Sequence, residues 1–367
     1  MKILLAGGGT AGHINPALAI ADYACKKNKD TEILFVGTKK GLESSLVPES
    51  GYDIKYVNVQ GLSKKISIEN FKALYHMITA KRKCKKIIRE FAPDIVVGTG
   101  GYVCAPAVMA ANSMGIPTLI HEQNVFPGSA IKVLAKKSSV TAISFEDSRK
   151  YLTDAKKILF SGNPIRPEIL SCERKKARDS FGLKNEKFVL IFGGSLGAGA
   201  INSVALEYMQ TLHEKMHVKV LFATGQRNYD EIMSGAAAKK CSSNKNISIL
   251  PYIHNMDEAM NAADVVVCRS GAITVSELCA LGKPAILIPS PNVTNNHQEY
   301  NARALSDNGA AITILEKDFS LRTLSEALDR ILDNDEYSTE MSKKSFAISN
   351  TNALEIICNQ MEELINK

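Results

Sequence analysis

Ile3-Leu4-Leu5-Ala6 runs straight into Gly7-Gly8-Gly9-Thr10-Ala11-Gly12, and in the second half of the chain Val189-Leu190-Ile191-Phe192 runs into Gly193-Gly194-Ser195-Leu196-Gly197. Both stretches have the same grammar: a short unbroken apolar run, a glycine loop, then a helical pattern. An unbroken apolar run marks a strand buried on both faces, as parallel strands between helical layers are. Working outward, further runs of this kind fall at 32–37, 54–59, 94–98, 117–121, 139–143 and 157–161. In the second half they fall at 218–223, 247–250, 264–268, 284–288 and 311–315, with the two glycine-loop strands at 2–6 and 187–192. Helical patterns at 15–27, 68–90, 128–136, 199–213, 273–281 and 296–308 fill the gaps. The repetition predicts an α/β chain of two Rossmann-like, doubly wound parallel-sheet domains. Pro164 and Pro167 bar a continuous helix or strand through Asn163–Pro167, which places the seam there. An amphipathic helix at about 350–366 is an extra element able to cap either domain.

At 367 residues, 45% hydrophobic and 23% charged, the chain has the balance of a globular protein with more than one core. Its eight cysteines (25, 84, 104, 172, 241, 268, 279, 358) form no C-x-x-C pair and sit in apolar segments, so reduced core thiols are expected. The N-terminus reads as a buried strand, not a signal peptide, and no apolar run is long enough to cross a bilayer. The net charge of +7 is uneven: residues 1–165 hold 23 Lys and Arg against 13 Asp and Glu, whereas 166–367 hold 22 against 25. A basic first half suggests an anionic surface or substrate, beside the plainer reading of solubility charge. No nucleic-acid partner is expected.

The loop at 7–12 satisfies G-x-G-x-x-G between strand and helix. A nicotinamide enzyme would also need a carboxylate ending its second strand to hold the ribose. That strand instead ends Phe35-Val36-Gly37-Thr38-Lys39-Lys40. What remains is a backbone cradle at a helix start, suited to a phosphate. His13 follows directly and reads either as a general base or as a structural or phosphate-contacting residue.

Gly193–Gly197 also fits the G-x-S-x-G nucleophile elbow, and a triad in chain order can be drawn through Asp264 and His297. A hydrolase has no use for a second glycine-rich half, so phosphate cradles explain both loops more simply. His121-Glu122-Gln123-Asn124 ends a strand, where open α/β sheets place ligands; Val125 rules out H-E-x-x-H. A polar strand end facing solvent is the alternative. In Arg269–Glu277, small residues open a helix start and Glu277 offers a carboxylate to ribose hydroxyls, or else merely complements the helix dipole. Asp333-Asn334-Asp335 matches a metal-binding D-x-D pattern but lies far from every glycine loop, so it reads as a helix terminus and no metal or other cofactor is expected. Phe71, Leu74, Tyr75 and Ile78 recur at helical spacing before Lys81-Arg82-Lys83-Cys84-Lys85-Lys86. This is a core stripe with a solvated run, or an apolar patch rimmed by charge for an anionic membrane.

Six segments in order, 8–13, 121–124, 162–166, 193–197, 268–277 and 296–302, together resemble the bacterial cell-wall N-acetylglucosaminyltransferases of glycosyltransferase B (GT-B) fold. Ala11 departs from the glycine many members carry. The resemblance implies two domains facing across a cleft, residues 1–164 plus about 347–367 for acceptor and membrane, and 165–346 for the donor. It implies inverting transfer of N-acetylglucosamine from UDP-GlcNAc to the C4 hydroxyl of the muramyl sugar of lipid I, giving lipid II. By motif, Ser195 would hold the diphosphate, Glu277 the ribose and the Ile253 backbone the uracil. Arg166, Asn124 and Gln298 would contact the donor, as would the stretch Ala272, Ile273, Thr274, Val275 and Ser276. Thr10, Ala11 and Gly12 would line the cleft, with His13 as base and Glu122 as its competitor. The partners implied are UDP-GlcNAc, lipid I, an anionic membrane at the cytoplasmic face, and other cell-wall synthesis proteins.

Overall fold

The computed structural model describes every residue except 61–67, 195 and 213–216, and for 68–74 the helical backbone alone. The chain divides into two compact units, Met1–Ile165 with Asn350–Lys367, and Arg166–Ser349.

The first unit is built on β1 (Lys2–Gly7), β2 (Glu32–Gly37), β3 (Asp53–Tyr56), β4 (Ile95–Gly100), β5 (Thr118–Glu122), β6 (Val140–Ile143) and β7 (Ile158–Phe160). Its helices are α1 (Ala11–Lys27), α2 (Glu43–Glu49), α3 (Ile68–Phe91), α4 (Cys104–Asn112) and α5 (Ser129–Ala135). The second unit carries β8 (Lys187–Phe192), β9 (Val218–Ala223), β10 (Ile247–Leu250), β11 (Val265–Cys268), β12 (Ala285–Leu287) and β13 (Ile312–Thr313). Around them run α6 (Pro167–Ser171), α7 (Arg174–Ser180), α8 (Gly199–Thr211), α9 (Tyr229–Ser234), α10 (Ala236–Ser242) and α11 (Met256–Ala262). They are followed by α12 (Ala272–Ala280), α13 (His297–Ser306), α14 (Leu321–Leu332) and α15 (Asp335–Ile348); α16 (Ala353–Ile365) returns to the first unit.

The strand orders are β3-β2-β1-β4-β5-β6-β7 and β10-β9-β8-β11-β12-β13, with every pair parallel. The expected α/β fold of two Rossmann-like sheets is therefore present. In each sheet the order reverses between the first and fourth strands. Both glycine loops follow the strand at that switch point, where the helices diverge to opposite faces and leave a crevice. Central strands β4, β5, β6 and β11 are buried along their whole length, while edge strand β10 alternates buried and exposed and edge strand β3 alternates exposed and half-buried. That difference explains why unbroken apolar runs mark the middle of a sheet and period-two patterns its edges.

Each unit has its own apolar interior. In the first, one face of the sheet packs Val96, Ile120 and Ile143 against α3, α4 and α5, and the other packs Ile3, Leu5 and Val97 against α1 and α16. α16 is tied down by Lys27–Glu362 at 2.7 Å and by Lys157 donating to Gln360 at 2.7 Å. In the second unit Val189, Ile191 and Val267 meet Ile201, Tyr208, Leu328 and Met341. All eight cysteines are free thiols, six of them buried, as their apolar settings predicted.

One boundary differs from expectation. α1 begins at Ala11 instead of near residue 15, with Thr10 as its extended N-cap residue. Gly12 and His13 therefore lie in the first helical turn and not in a loop. Glycine lowers intrinsic helicity, but the first turn packs against the end of β4 and tertiary contact prevails.

Candidate active site

In the first unit the glycine segment after β1 is folded against the end of β4. A Cβ on Gly101 (φ +77°) would collide with the carbonyl oxygen of Gly8, so two backbone stretches touch where only glycine fits. A Cβ on Gly100 would stand 2.7 Å from Cδ2 of His13, so the imidazole lies flush against this loop. Glu43, fully buried at the start of α2, clamps the segment from below. Its carboxylate accepts from Gly9 N (3.0 Å), Thr38 N (2.9 Å) and Thr38 Oγ1 (2.7 Å). Burial alone would raise this carboxyl, but the hydrogen bonds outweigh it and hold its pKa below the ordinary value. The sequence reading missed Glu43; the helix-start carboxylate shortly after a strand end was the available signal.

His13 Nδ1 lies 3.2 Å from the Gly8 carbonyl and 3.2 Å from Thr10 Oγ1. A carbonyl only accepts, so Nδ1 carries the hydrogen in that bond and the lone pair of the neutral ring sits on Nε2.

The 121–124 segment is neither a solvent-facing strand end nor a set of exposed ligands. His121, Glu122 and Gln123 are buried and paired internally. His121 Nε2 donates to Gly162 O (3.0 Å), while Nδ1 accepts from Gln123 Nε2 (2.9 Å), and burial drives its pKa down to about 4. Gln123 also donates to Thr99 O (2.9 Å), and Asn163 Nδ2 donates to Gln123 O (3.0 Å). Glu122, the rival candidate base, is 2% exposed. Its carboxylate accepts from Asn124 N (2.9 Å), Asn124 Nδ2 (3.1 Å) and Gly128 N (2.8 Å). Burial raises its pKa against those bonds. Through these three bonds Glu122 holds the 124–128 loop. Asn124 alone of the four is half-buried.

In the second unit the glycine loop opens a pocket of about 560 Å³. Gly193, Gly194, Leu196 and Gly197 line one side; Arg269, Gly271, Thr274, Ser290, Asn292, Gln298 and Glu316 line the rest. Gly197 (φ +76°) lies against Gly225 so closely that a side chain on either would strike the other loop. Ser195 lies outside the described residues. Gln298 is fixed at both ends: its Oε1 accepts from Ser290 N (2.9 Å) and its carbonyl from Ser270 Oγ (2.7 Å). Arg269 Nη1 donates to Ile288 O (3.0 Å), and Nη2 contacts the Glu316 carboxylate. Glu316 stands just beyond β13, where the strand-end rule points, and Arg269 opens the 269–277 motif just beyond β11.

The stretch 272–276 divides. Ala272, Ile273 and Thr274 begin α12, where backbone N–H groups have no carbonyl within the helix to meet. Val275 is fully buried and its N–H donates to Gly271 O (2.9 Å), so it serves the core and the helix ladder. Ser276 is half-buried on the same helix. Glu277, 5% exposed, binds Arg166 Nε through Oε1 at 3.1 Å. Burial raises its pKa and the Arg166 charge opposes the rise. Ile253 is buried, between Tyr252 and His254, whose rings meet edge to face. Arg166, Ile253, 272–277 and Gln298 thus all belong to the second unit, whereas Thr10, Ala11, Gly12, His13, Glu122 and Asn124 belong to the first.

Asp333-Asn334-Asp335 is the junction of α14 and α15, with the Asn334 side chain capping α15 by accepting from Tyr337 N (2.9 Å). Among the described residues no three His, Cys, Asp or Glu side chains are grouped to hold a metal ion, and no helix is long and apolar enough to cross a membrane. On α3 the core face is Ala80, Cys84, Ile87 and Ile88. Tyr75 and Ile78 point elsewhere, 65% and 47% exposed, while Phe71 and Leu74 lie outside the described side chains. Nearby, a pocket of about 600 Å³ has Met109, Val133 and Leu134 in its walls with Lys81, Lys136, Lys137 and Lys156.

The chain matches the Glycosyltransferase family 28 N-terminal domain over residues 3–143 and the corresponding C-terminal domain over 188–357. It is 47% identical over 366 residues to the UDP-N-acetylglucosamine–N-acetylmuramyl-(pentapeptide) pyrophosphoryl-undecaprenol N-acetylglucosamine transferase of Acetivibrio thermocellus, covering 100% of this chain and 98% of that one. The protein of the same name from Desulforamulus reducens is 44% identical, with 100% and 99% covered. Among solved structures, Acinetobacter baumannii MurG superposes with a TM-score of 0.81 at 26% identity over 99% of both chains. A Neisseria meningitidis UDP-GlcNAc 2-epimerase bound to UDP-GlcNAc gives 0.70 at 16% identity over 99% and 100%, a likeness of fold alone.

Proposed function

Because the chain belongs to glycosyltransferase family 28, we propose that it transfers N-acetylglucosamine from UDP-GlcNAc to the muramyl C4 hydroxyl of lipid I, producing lipid II for peptidoglycan. The observation that carries this reading is end-to-end similarity, at 47% identity, to a transferase named for that donor and acceptor. The chain is an N-acetylglucosaminyltransferase. The 560 Å³ pocket, of ligand size and built from the second glycine loop, supports the second unit as the donor site.

In this reading the diphosphate lies against the N–H groups of 193–197, including Ser195, and of the first turn of α12. These fixed dipoles stabilise the charge that grows on departing UDP. Gln298, held by Ser290 and Ser270, meets the sugar; Glu277 meets the ribose with Arg166 beside it, and the Ile253 backbone meets the uracil. The first unit takes the acceptor on Thr10, Ala11 and Gly12. Its hydroxyl attacks the anomeric carbon from the face opposite UDP, inverting the α linkage to β. Nε2 of His13 receives the proton, since Nδ1 is committed as a donor to Gly8. Asn124, fastened to Glu122, contacts the donor. The reaction needs no cofactor. The enzyme works at the cytoplasmic face of the membrane, where its basic first unit meets anionic lipid beside other cell-wall synthesis proteins.

The test is incubation of the full chain with radiolabelled UDP-GlcNAc and a lipid I analogue, with identification of the disaccharide product. Label appearing only as free sugar or as an epimerised nucleotide sugar would overturn the reading.

A further inference from the structure

We propose that Glu316 is an internal counter-ion of the donor pocket, cancelling the charge of Arg269 so that UDP, once formed, can leave. This rests on the reading above that the pocket takes the nucleotide sugar. Among the described residues lining it, Arg269 and Glu316 are the only charged side chains. They reach the pocket from two neighbouring strand ends, Arg269 just after β11 and Glu316 just after β13. The guanidinium is engaged on two sides, by the Ile288 carbonyl at 3.0 Å and by the Glu316 carboxylate. Both side chains are largely sheltered, at 15% and 26% exposure, so solvent screens the pair weakly. A diphosphate entering therefore meets oriented backbone N–H groups but no net side-chain charge.

The consequence follows from the charges of donor and product. In UDP-GlcNAc the diphosphate is a diester with two negative charges. Cleavage of the sugar bond leaves UDP a terminal phosphate, whose second ionisation has a pKa near ~6. The product therefore carries nearly one more negative charge than the donor at neutral pH. An uncompensated arginine would hold the product more tightly than the donor and slow each turnover at release. With Glu316 in place that bias is removed, and binding rests on neutral dipoles that serve donor and product more evenly.

The experiment measures UDP and UDP-GlcNAc binding by calorimetry on the full chain, with kcat and product inhibition alongside. Glu316→Gln keeps the shape and an acceptor oxygen for Arg269. It is expected to tighten UDP about 10-fold at low salt, to tighten UDP-GlcNAc by less, and to lower kcat as UDP release slows. The gain should shrink as salt is added. Arg269→Met, leaving Glu316 alone, should weaken UDP by a similar factor. The double variant, with neither charge, should return within about threefold of the parent. Unchanged or weaker UDP binding in Glu316→Gln overturns the proposal, because Glu316 would then only hold Arg269 in place. If Glu316→Gln does not fold, the double variant decides: a loss of tenfold or more overturns the proposal. A parent chain that binds no UDP overturns the donor reading itself, a different result from a parent that binds while Glu316→Gln changes nothing.

Discussion

The ring of His13 leans on Gly100 with Nδ1 directed at the Gly8 carbonyl, while both ring nitrogens of His121 are spent inside the protein. The two residues therefore answer different tests. Replacing His13 by Ala should lower kcat about 10²–10⁴-fold while leaving UDP-GlcNAc affinity nearly intact, as loss of a general base does. A change confined to the acceptor KM would instead make His13 a phosphate contact. For His121 the measurable quantity is stability. Its pKa falls from about 6.5 to about 4 on folding because burial disfavours the imidazolium. Between those values the unfolded chain binds the proton and the folded chain does not, so stability rises with pH. The contribution is fully present above about 6.5, is lost as pH falls toward 4, and is worth ~3 kcal/mol over that window. Urea unfolding at pH 7 and pH 5 should show the loss in the parent and a flatter profile in His121→Gln. Equal slopes in both would refute the assignment.

Between β12 and α13 the chain makes an unusual start. Asn295 (φ 55°) and Asn296 (φ 52°) both occupy the left-handed region, and α13 then begins at His297. Asparagine tolerates that region better than other side-chain-bearing residues, and glycine better still. The Asn296 amide reaches Glu299 (2.6 Å) and His297 Nδ1 meets Thr294 O (2.8 Å), so the turn sets the direction in which α13 carries Gln298 to Ser290. Asn296→Gly should leave stability within ~0.5 kcal/mol, whereas the β-branched Asn296→Val should cost ~1–2 kcal/mol or more. In the valine variant UDP-GlcNAc affinity should fall more than UDP affinity, read by urea unfolding and calorimetry; equal losses would show that the turn does not serve the sugar. No periodicity announces such a turn, although the adjacent asparagines were in plain view. The same contrast holds across the molecule. The central strands were legible because burial on two faces leaves continuous Ile, Val and Leu runs, and both glycine loops because tight backbone approach demands glycine. The roles of His121, Gln123, Glu122 and Glu43 were not legible. His121, Gln123 and Glu43 are decided by partners distant in sequence, Gly162, Thr99 and Gly9, which only the folded unit brings within reach, and Glu122 by the turn of its own 124–128 loop, which no periodicity announces.

Each unit closes its own core, and α16 fastens to α1 in the first, so Arg166–Ser349 carries a complete sheet and interior. That fragment alone should bind UDP with an affinity within about threefold of the whole chain, as expected of an independent domain. A fragment that folds by circular dichroism yet binds no UDP would contradict the division of labour. The first unit poses the complementary question. Its 24 Lys and Arg against 16 Asp and Glu leave an excess of +8, and in the function proposed above it takes a lipid-linked sugar at a bilayer. On α3 the buried positions Ala80, Cys84, Ile87 and Ile88 define the inward face, which leaves Tyr75 and Ile78 outward beside Lys81, Arg82 and Lys83. An exposed aromatic and an exposed isoleucine within one helical turn, next to cations, suit the headgroup region of an anionic membrane. Each cation near such a surface contributes ~1 kcal/mol, and each inserted apolar side chain up to ~1.5–3 kcal/mol. Sedimentation with phosphatidylglycerol vesicles should therefore be measurable, weakened by salt and nearly absent with neutral vesicles. Changing Tyr75 and Ile78 to Ser should reduce the bound fraction several-fold and leave UDP affinity untouched, because both lie outside the unit that carries the nucleotide pocket. If the double variant sediments as the parent does, α3 is not the membrane face, and the excess charge serves solubility or the anionic acceptor alone.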